Sequence, residues 1–175
     1  MTTEMPAADL TIDTSSLIKC YGVLILGMIV VFFLDFYMSI LGLLLLICGL
    51  VWNIKLRRRN QNPLFENHTR WIRRTLGLTL LFSLIAAIVA STIFSSHADA
   101  TGIDEMTRAL ENKTATQEMV RTTMDGFYER NGRLMFWNRV GCFGPIALYA
   151  IARYIKGYRL SEKGRLIPNV KSWWL

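Results

Sequence analysis

The sequence predicts an all-α integral membrane protein: four transmembrane helices, with an amphipathic helix in the loop between the third and the fourth. Three observations lead there. Hydrophobic residues make up 52% of the 175-residue chain, and they gather in blocks of membrane-spanning length instead of interleaving with polar residues as in a soluble domain. Basic clusters flank the blocks, with Lys55, Arg57, Arg58, Arg59, Arg70, Arg73 and Arg74 in 55–74 and Arg153, Lys156, Arg159, Lys163, Arg165 and Lys171 in 153–175. The one long polar segment, 96–133, instead carries more acids than bases.

Taken in order, residues 1–16 are polar and acidic and predict a disordered N-terminus. No basic stretch precedes the first apolar run, so no cleaved signal peptide is expected. Between Leu17 and Ile54 the only charges are Lys19 and Asp35. That run is too long for a single crossing of a hydrocarbon core about 30 Å thick, which takes about 20 residues. It divides into helices over about 17–34 and 39–54, with Asp35 at the turn, where an aspartate costs less than at the bilayer centre.

Asn60, Gln61, Asn62 and Pro63 read as a loop. A third helix is expected over about 71–94, entered through a collar of Arg70, Trp71, Arg73 and Arg74, with Trp71 at headgroup level. Ser83, Ala86, Ala87, Ala90 and Ser91 supply small residues at helical spacing, which allow close helix approach in lipid. In 96–133, apolar positions at Met106, Leu110 and Met124 trace one helical stripe, with Thr101 as its N-cap and Gly126 or Asn131-Gly132 as its end. A fourth helix is expected over about 134–155, loosened by Gly141, Gly144 and Pro145. Residues 17–158 form the transmembrane domain and 159–175 a basic tail lying on the membrane surface. By the positive-inside rule 55–74, 153–175 and both termini are cytoplasmic and 96–133 lies outside, which places the chain in a cell inner membrane as a multi-pass protein.

The net charge of +7 sits at helix ends facing anionic headgroups, not on a soluble basic face, so the expected partner is the lipid bilayer and not nucleic acid. Cys20, Cys48 and Cys142 lie in apolar runs without ligand or redox spacing and read as small packing residues. No nucleophile with its base, paired carboxylates or metal cluster is visible, so neither an enzyme nor a cofactor or metal site is expected. Two intramembrane polar residues stand out, Asp35 and Arg139. The bland reading makes them a turn residue and a snorkelling side chain, and the sharper one makes them a buried pair on a solute path.

The string from Asn67 to Thr75, with His68, Arg70, Trp71, Arg74 and Thr75, resembles the entry to the third helix in small bacterial four-helix inner-membrane proteins of the Tic-twenty-like group. Asn67 stands where that signature has serine, and Leu76-Gly77 where it has Phe-Trp. Arg153, Ile155, Gly157 and Leu160 resemble the pattern ending the group's fourth helix. The resemblance spans about 20–170 and implies the four-helix fold. Bacterial members are mostly uncharacterised, so it implies little about activity.

The function expected from these features is that of a non-enzymatic accessory or scaffolding subunit, packing with other membrane proteins or a second copy of itself. Met106, Leu110 and Met124 are the candidate docking residues. A small transporter using Asp35 and Arg139 is the alternative, and a receptor or immunity-type protein binding through its outer loop is the third.

Overall fold

The computed structural model describes residues 14–33, 36–59 and 62–172. Among them are five α-helices and no strand: α1 (Ser15–Val31), α2 (Phe36–Arg59), α3 (Pro63–His97), α4 (Ile103–Glu111) and α5 (Gln117–Glu162). Three of these, α2, α3 and α5, are long and apolar enough to cross a membrane; α1, at 17 residues, is apolar but shorter. Large apolar side chains stay exposed on α2 (Leu41, Leu44, Ile47, Val51) and α3 (Leu80, Leu84, Ile88). A soluble monomer rarely leaves such faces bare, whereas lipid covers them. Most of the expected disorder over 1–16 falls outside the described residues, though Ser15 and Ser16 already belong to α1.

The described residues fall into two compact units, one within Met1–Leu78 and Tyr149–Leu175 and the other Thr79–Leu148. In the first, α1 and α2 form an antiparallel hairpin. Leu17, Cys20, Tyr21, Leu24, Gly27 and Met28 are buried on α1, a seam at spacings of three and four. Glycines on both helices set how closely they approach. A Cβ on Gly42 would strike the backbone of Val31, one on Gly49 would lie 2.5 Å from Leu24 Cδ2, and one on Gly27 would lie 3.1 Å from Leu46. Lipid removes the hydrophobic drive between helices, and close backbone contact replaces it.

Several boundaries differ from the sequence expectation, each for a local reason. Helix α2 runs on to Arg59 because straight-chain Lys and Arg suit a helix and offset its C-terminal dipole. Helix α3 begins at Pro63, eight residues before the expected start, because Asn62 caps it. The Asn62 Oδ1 accepts the Leu64 amide at 2.8 Å, and Pro63 takes the first helical position, where a missing N–H costs nothing.

In the second unit, the single amphipathic helix expected from Ile103 to Gly126 or Asn131-Gly132 is divided. Gly102, at φ 81°, sits at the N-cap of α4 without a side-chain cap, and the Thr101 hydroxyl bonds Asp99 instead. Lys113, at φ 57°, ends α4. Thr116 then caps α5, its Oγ1 accepting the Met119 amide at 3.1 Å. From there α5 continues unbroken through Gly126, Asn131, Gly132 and Pro145. Asn131 does not end the helix because its side chain bonds elsewhere: Oδ1 accepts the Asp99 amide at 2.8 Å, and Nδ2 donates to the carbonyls of Asp99 and Phe127. At about 1.5 Å per residue α5 is about 69 Å long, so much of it must extend beyond a hydrocarbon core of about 30 Å.

Candidate functional site

The residues that suggested a family signature converge inside the first unit. Helix α3 carries Asn67, His68, Trp71 and Thr75 on one face, at spacings of three and four, and Glu66, Arg70 and Arg73 on the exposed side. Helix α5 brings Arg153 and Gly157, also four apart, to meet them. Ile155 between them points away and is exposed.

His68 is fully buried and joins two partners. Its Nε2 lies 3.0 Å from the Arg165 carbonyl, which can only accept, so Nε2 carries a proton. Its Nδ1 lies 2.9 Å from the Tyr21 hydroxyl, which donates to it when the imidazole is neutral. Tyr21 packs edge-on to the ring, with centroids 5.8 Å apart. Gly157 admits the tyrosine, since a Cβ there would lie 2.5 Å from its ring.

One residue earlier, Asn67 binds the chain beyond α5 on both sides of one residue. Its Oδ1 accepts the Ile167 amide at 2.9 Å, and its Nδ2 donates to the Ile167 carbonyl at 3.2 Å. This is the pairing a neighbouring β-strand would provide, supplied here by one side-chain amide.

Arg153 is fully buried, and no carboxylate pairs with it among the described residues. Burial of a charge is tolerated only where dipoles surround it. The guanidinium lies 3.6 Å from the Trp71 ring centroid, and Trp71 Nε1 donates to the Arg153 carbonyl at 3.1 Å. Arg153 Nε donates to the Thr75 hydroxyl at 3.0 Å, and Nη1 donates to Tyr149 Oη at 3.1 Å and to the Ser172 carbonyl at 3.0 Å. Nη2 has no hydrogen-bond partner among the described residues.

Together these groups make a clamp. His68 and Asn67 fasten 165 and 167 to α3, and Arg153 fastens the Ser172 carbonyl to α5 itself. Trp71 and Arg153 therefore differ from the expected interfacial collar and headgroup contacts, because each is buried against the other. Arg70 is exposed and pairs with Glu66 at 2.8 Å, while Arg74 is half-buried.

The other sequence candidates lie apart from this cluster. Asp35 falls outside the described residues. Arg139 is half-buried on α5 in the second unit, as is Met124, while Met106 is half-buried and Leu110 exposed on α4. Of the cysteines, Cys20 is buried, Cys142 half-buried and Cys48 exposed. In the second unit Asp99 bonds Asn131 and pairs with Arg130 at 3.3 Å. The hydroxyl and amide of Thr101 hold the Asp99 carboxyl below the usual aspartate range, and Arg130 adds to this.

Sequence reading singled out neither Tyr21, Asn53, Tyr149 nor Ser172 as site residues, and it took Asn131 for a helix end. For Asn53 and Asn131 a signal existed: an amide within or beside an apolar helix needs a partner, because lipid supplies none. Ser172 takes part through its backbone, which no side-chain pattern reveals. No family model, curated protein or solved structure matches this chain.

Proposed function

We propose that this chain is a non-enzymatic accessory or scaffolding subunit of the cytoplasmic membrane, built to pack against another membrane protein or a second copy of itself. The observation that carries the reading is an outward small-residue face on α3. Ala87, Ser91 and Ser95, each four residues apart, are all exposed. The two hydroxyls donate within their own helix, to the Ile88 carbonyl at 2.9 Å and the Thr92 carbonyl at 3.1 Å. Such a face asks nothing polar of its neighbour and lets a partner backbone approach closely. The signature side chains support the same reading, since they fasten the chain to itself.

Packing supports a reading of four crossings. Helix α1 spans about 26 Å at 1.5 Å per residue and lies along α2 through Gly27, Gly42 and Gly49, so it shares the depth of α2. The basic stretches 55–74 and 153–175 then face the cytoplasm with both termini, and 96–133 faces outward. The four-helix arrangement and the signature accord with the Tic-twenty-like resemblance, which we retain as a proposal about origin.

Affinity purification in mild detergent, with mass spectrometry of what co-purifies, tests the function. A partner in fixed stoichiometry, or a second copy of the chain, is expected with the natural sequence and should be lost in the folded Ala87→Leu/Ser91→Leu variant. A bare single chain would sink the stable-complex reading. Loss instead on making Met106, Leu110 and Met124 polar would move the docking surface to the outer segment.

A further inference from the structure

A second polar feature of the first unit plays no part in the clamp. Asn53, Ile54, Arg57 and Arg58 of α2 and Arg73 of α3 line a pocket of about 310 Å³. Arg57 and Arg58 belong to the last turn of α2, where any cation offsets the helix dipole. Arg73 comes from the other helix, so the dipole does not account for it. No carboxylate pairs with these three arginines among the described residues. Three guanidinium groups gathered around one concavity repel one another, and an anion seated between them reverses that cost.

Asn53 adds a second, independent requirement. It is fully buried, and its Nδ2 donates to the Thr69 carbonyl at 3.4 Å. Its Oδ1 is buried without a hydrogen-bond partner among the described residues. A buried orphan acceptor is costly unless a donor reaches it. The pocket therefore asks for an anion that also carries a hydrogen-bond donor. A plain phosphodiester carries no donor, whereas inorganic phosphate, through its P–OH, and a phosphodiester whose alcohol bears a hydroxyl both do; the pocket's place between two membrane helices favours the lipid.

We propose that this pocket binds one anionic phospholipid through its headgroup, the phosphodiester against Arg57, Arg58 and Arg73 and a headgroup hydroxyl donating to Asn53 Oδ1. Basic pockets between membrane helices on the cytoplasmic side take such headgroups. The inference rests on the membrane reading and its orientation. Fractionation of cells tests that reading separately, so failure of one is distinguishable from failure of the other.

The test is native mass spectrometry of the full chain, delipidated in neutral detergent and titrated with phosphatidylglycerol, phosphatidylcholine, phosphatidylmethanol or inorganic phosphate. One phosphatidylglycerol per chain is expected to bind saturably, with phosphatidylcholine far weaker. Arg73→Gln should weaken binding about fivefold, and Arg57→Gln/Arg58→Gln/Arg73→Gln should abolish it. The charge-matched tail variant Lys163→Gln/Arg165→Gln/Lys171→Gln should bind as the natural sequence does. Asn53→Ala should erase the preference for phosphatidylglycerol over phosphatidylmethanol, which lacks the hydroxyl. Equal binding by the natural chain and by Arg73→Gln would overturn the site, as would equal loss in the tail variant. Inorganic phosphate binding as tightly as the lipid would overturn the lipid assignment in favour of a soluble phosphate.

Discussion

At the scale of single residues, the clamp depends on side chains that no isostere replaces. His68 must keep Nε2 protonated for the Arg165 carbonyl and Nδ1 free to accept from Tyr21. Nitrogen-15 NMR of the labelled protein should therefore find His68 as the Nε2–H tautomer near neutral pH; an Nδ1–H signal would contradict the assignment. His68→Ala should lower stability by about 1–3 kcal/mol, since it leaves the buried Tyr21 hydroxyl unpaired. Arg153→Lys should not rescue the clamp although it keeps the charge, because an ammonium cannot stack on Trp71 while also reaching Thr75, Tyr149 and the Ser172 carbonyl. Thermal unfolding in detergent checks both. At Asp99 the linkage has a definite sign. A carboxyl held below its usual range steadies the fold above that range and ceases to do so as pH falls through its depressed value. Amide protection over 98–103, corrected for the intrinsic pH dependence of exchange, should accordingly fall in acid in the natural sequence and be low at all pH in Asp99→Asn.

At the scale of elements, close helix approach decides which glycines matter. Gly42→Ala would drive a Cβ into the Val31 backbone, so the α1–α2 hairpin must separate, at a cost of about 1–3 kcal/mol or more. Gly77→Ala in α3 meets nothing within 4 Å and should stabilise by up to about 1 kcal/mol through helix propensity alone. Paired thermal unfolding of the two variants checks this. The apolar blocks made the helices legible, because lipid-length runs and flanking charge are properties of the sequence itself. Helix ends were less legible because one residue type serves opposite roles. Asn62-Pro63 reads as a turn yet caps α3, and Asn131-Gly132 reads as a stop yet lies within α5, its amide bonded to Asp99. The signature from Asn67 to Thr75 was visible, but its purpose was not. Its partners at 165 and 167 are backbone groups about a hundred residues away, and backbone leaves no mark in a sequence.

At the scale of the whole molecule, polar chemistry is turned inward in the clamp, while apolar and small residues are left on the outward faces of α2 and α3. That distribution suits a part that is held rigid and packs against something else. The central structural claim is that the signature exists to fasten 165–167 to α3. Hydrogen–deuterium exchange at the Ile167 amide, followed in detergent or a nanodisc, tests it most directly, because that amide donates to Asn67 Oδ1. Protection in the natural sequence, lost in an Asn67→Ala variant that otherwise keeps its helices, is the predicted result. Rapid exchange at Ile167 in the natural sequence, or equal protection in both proteins, would contradict it.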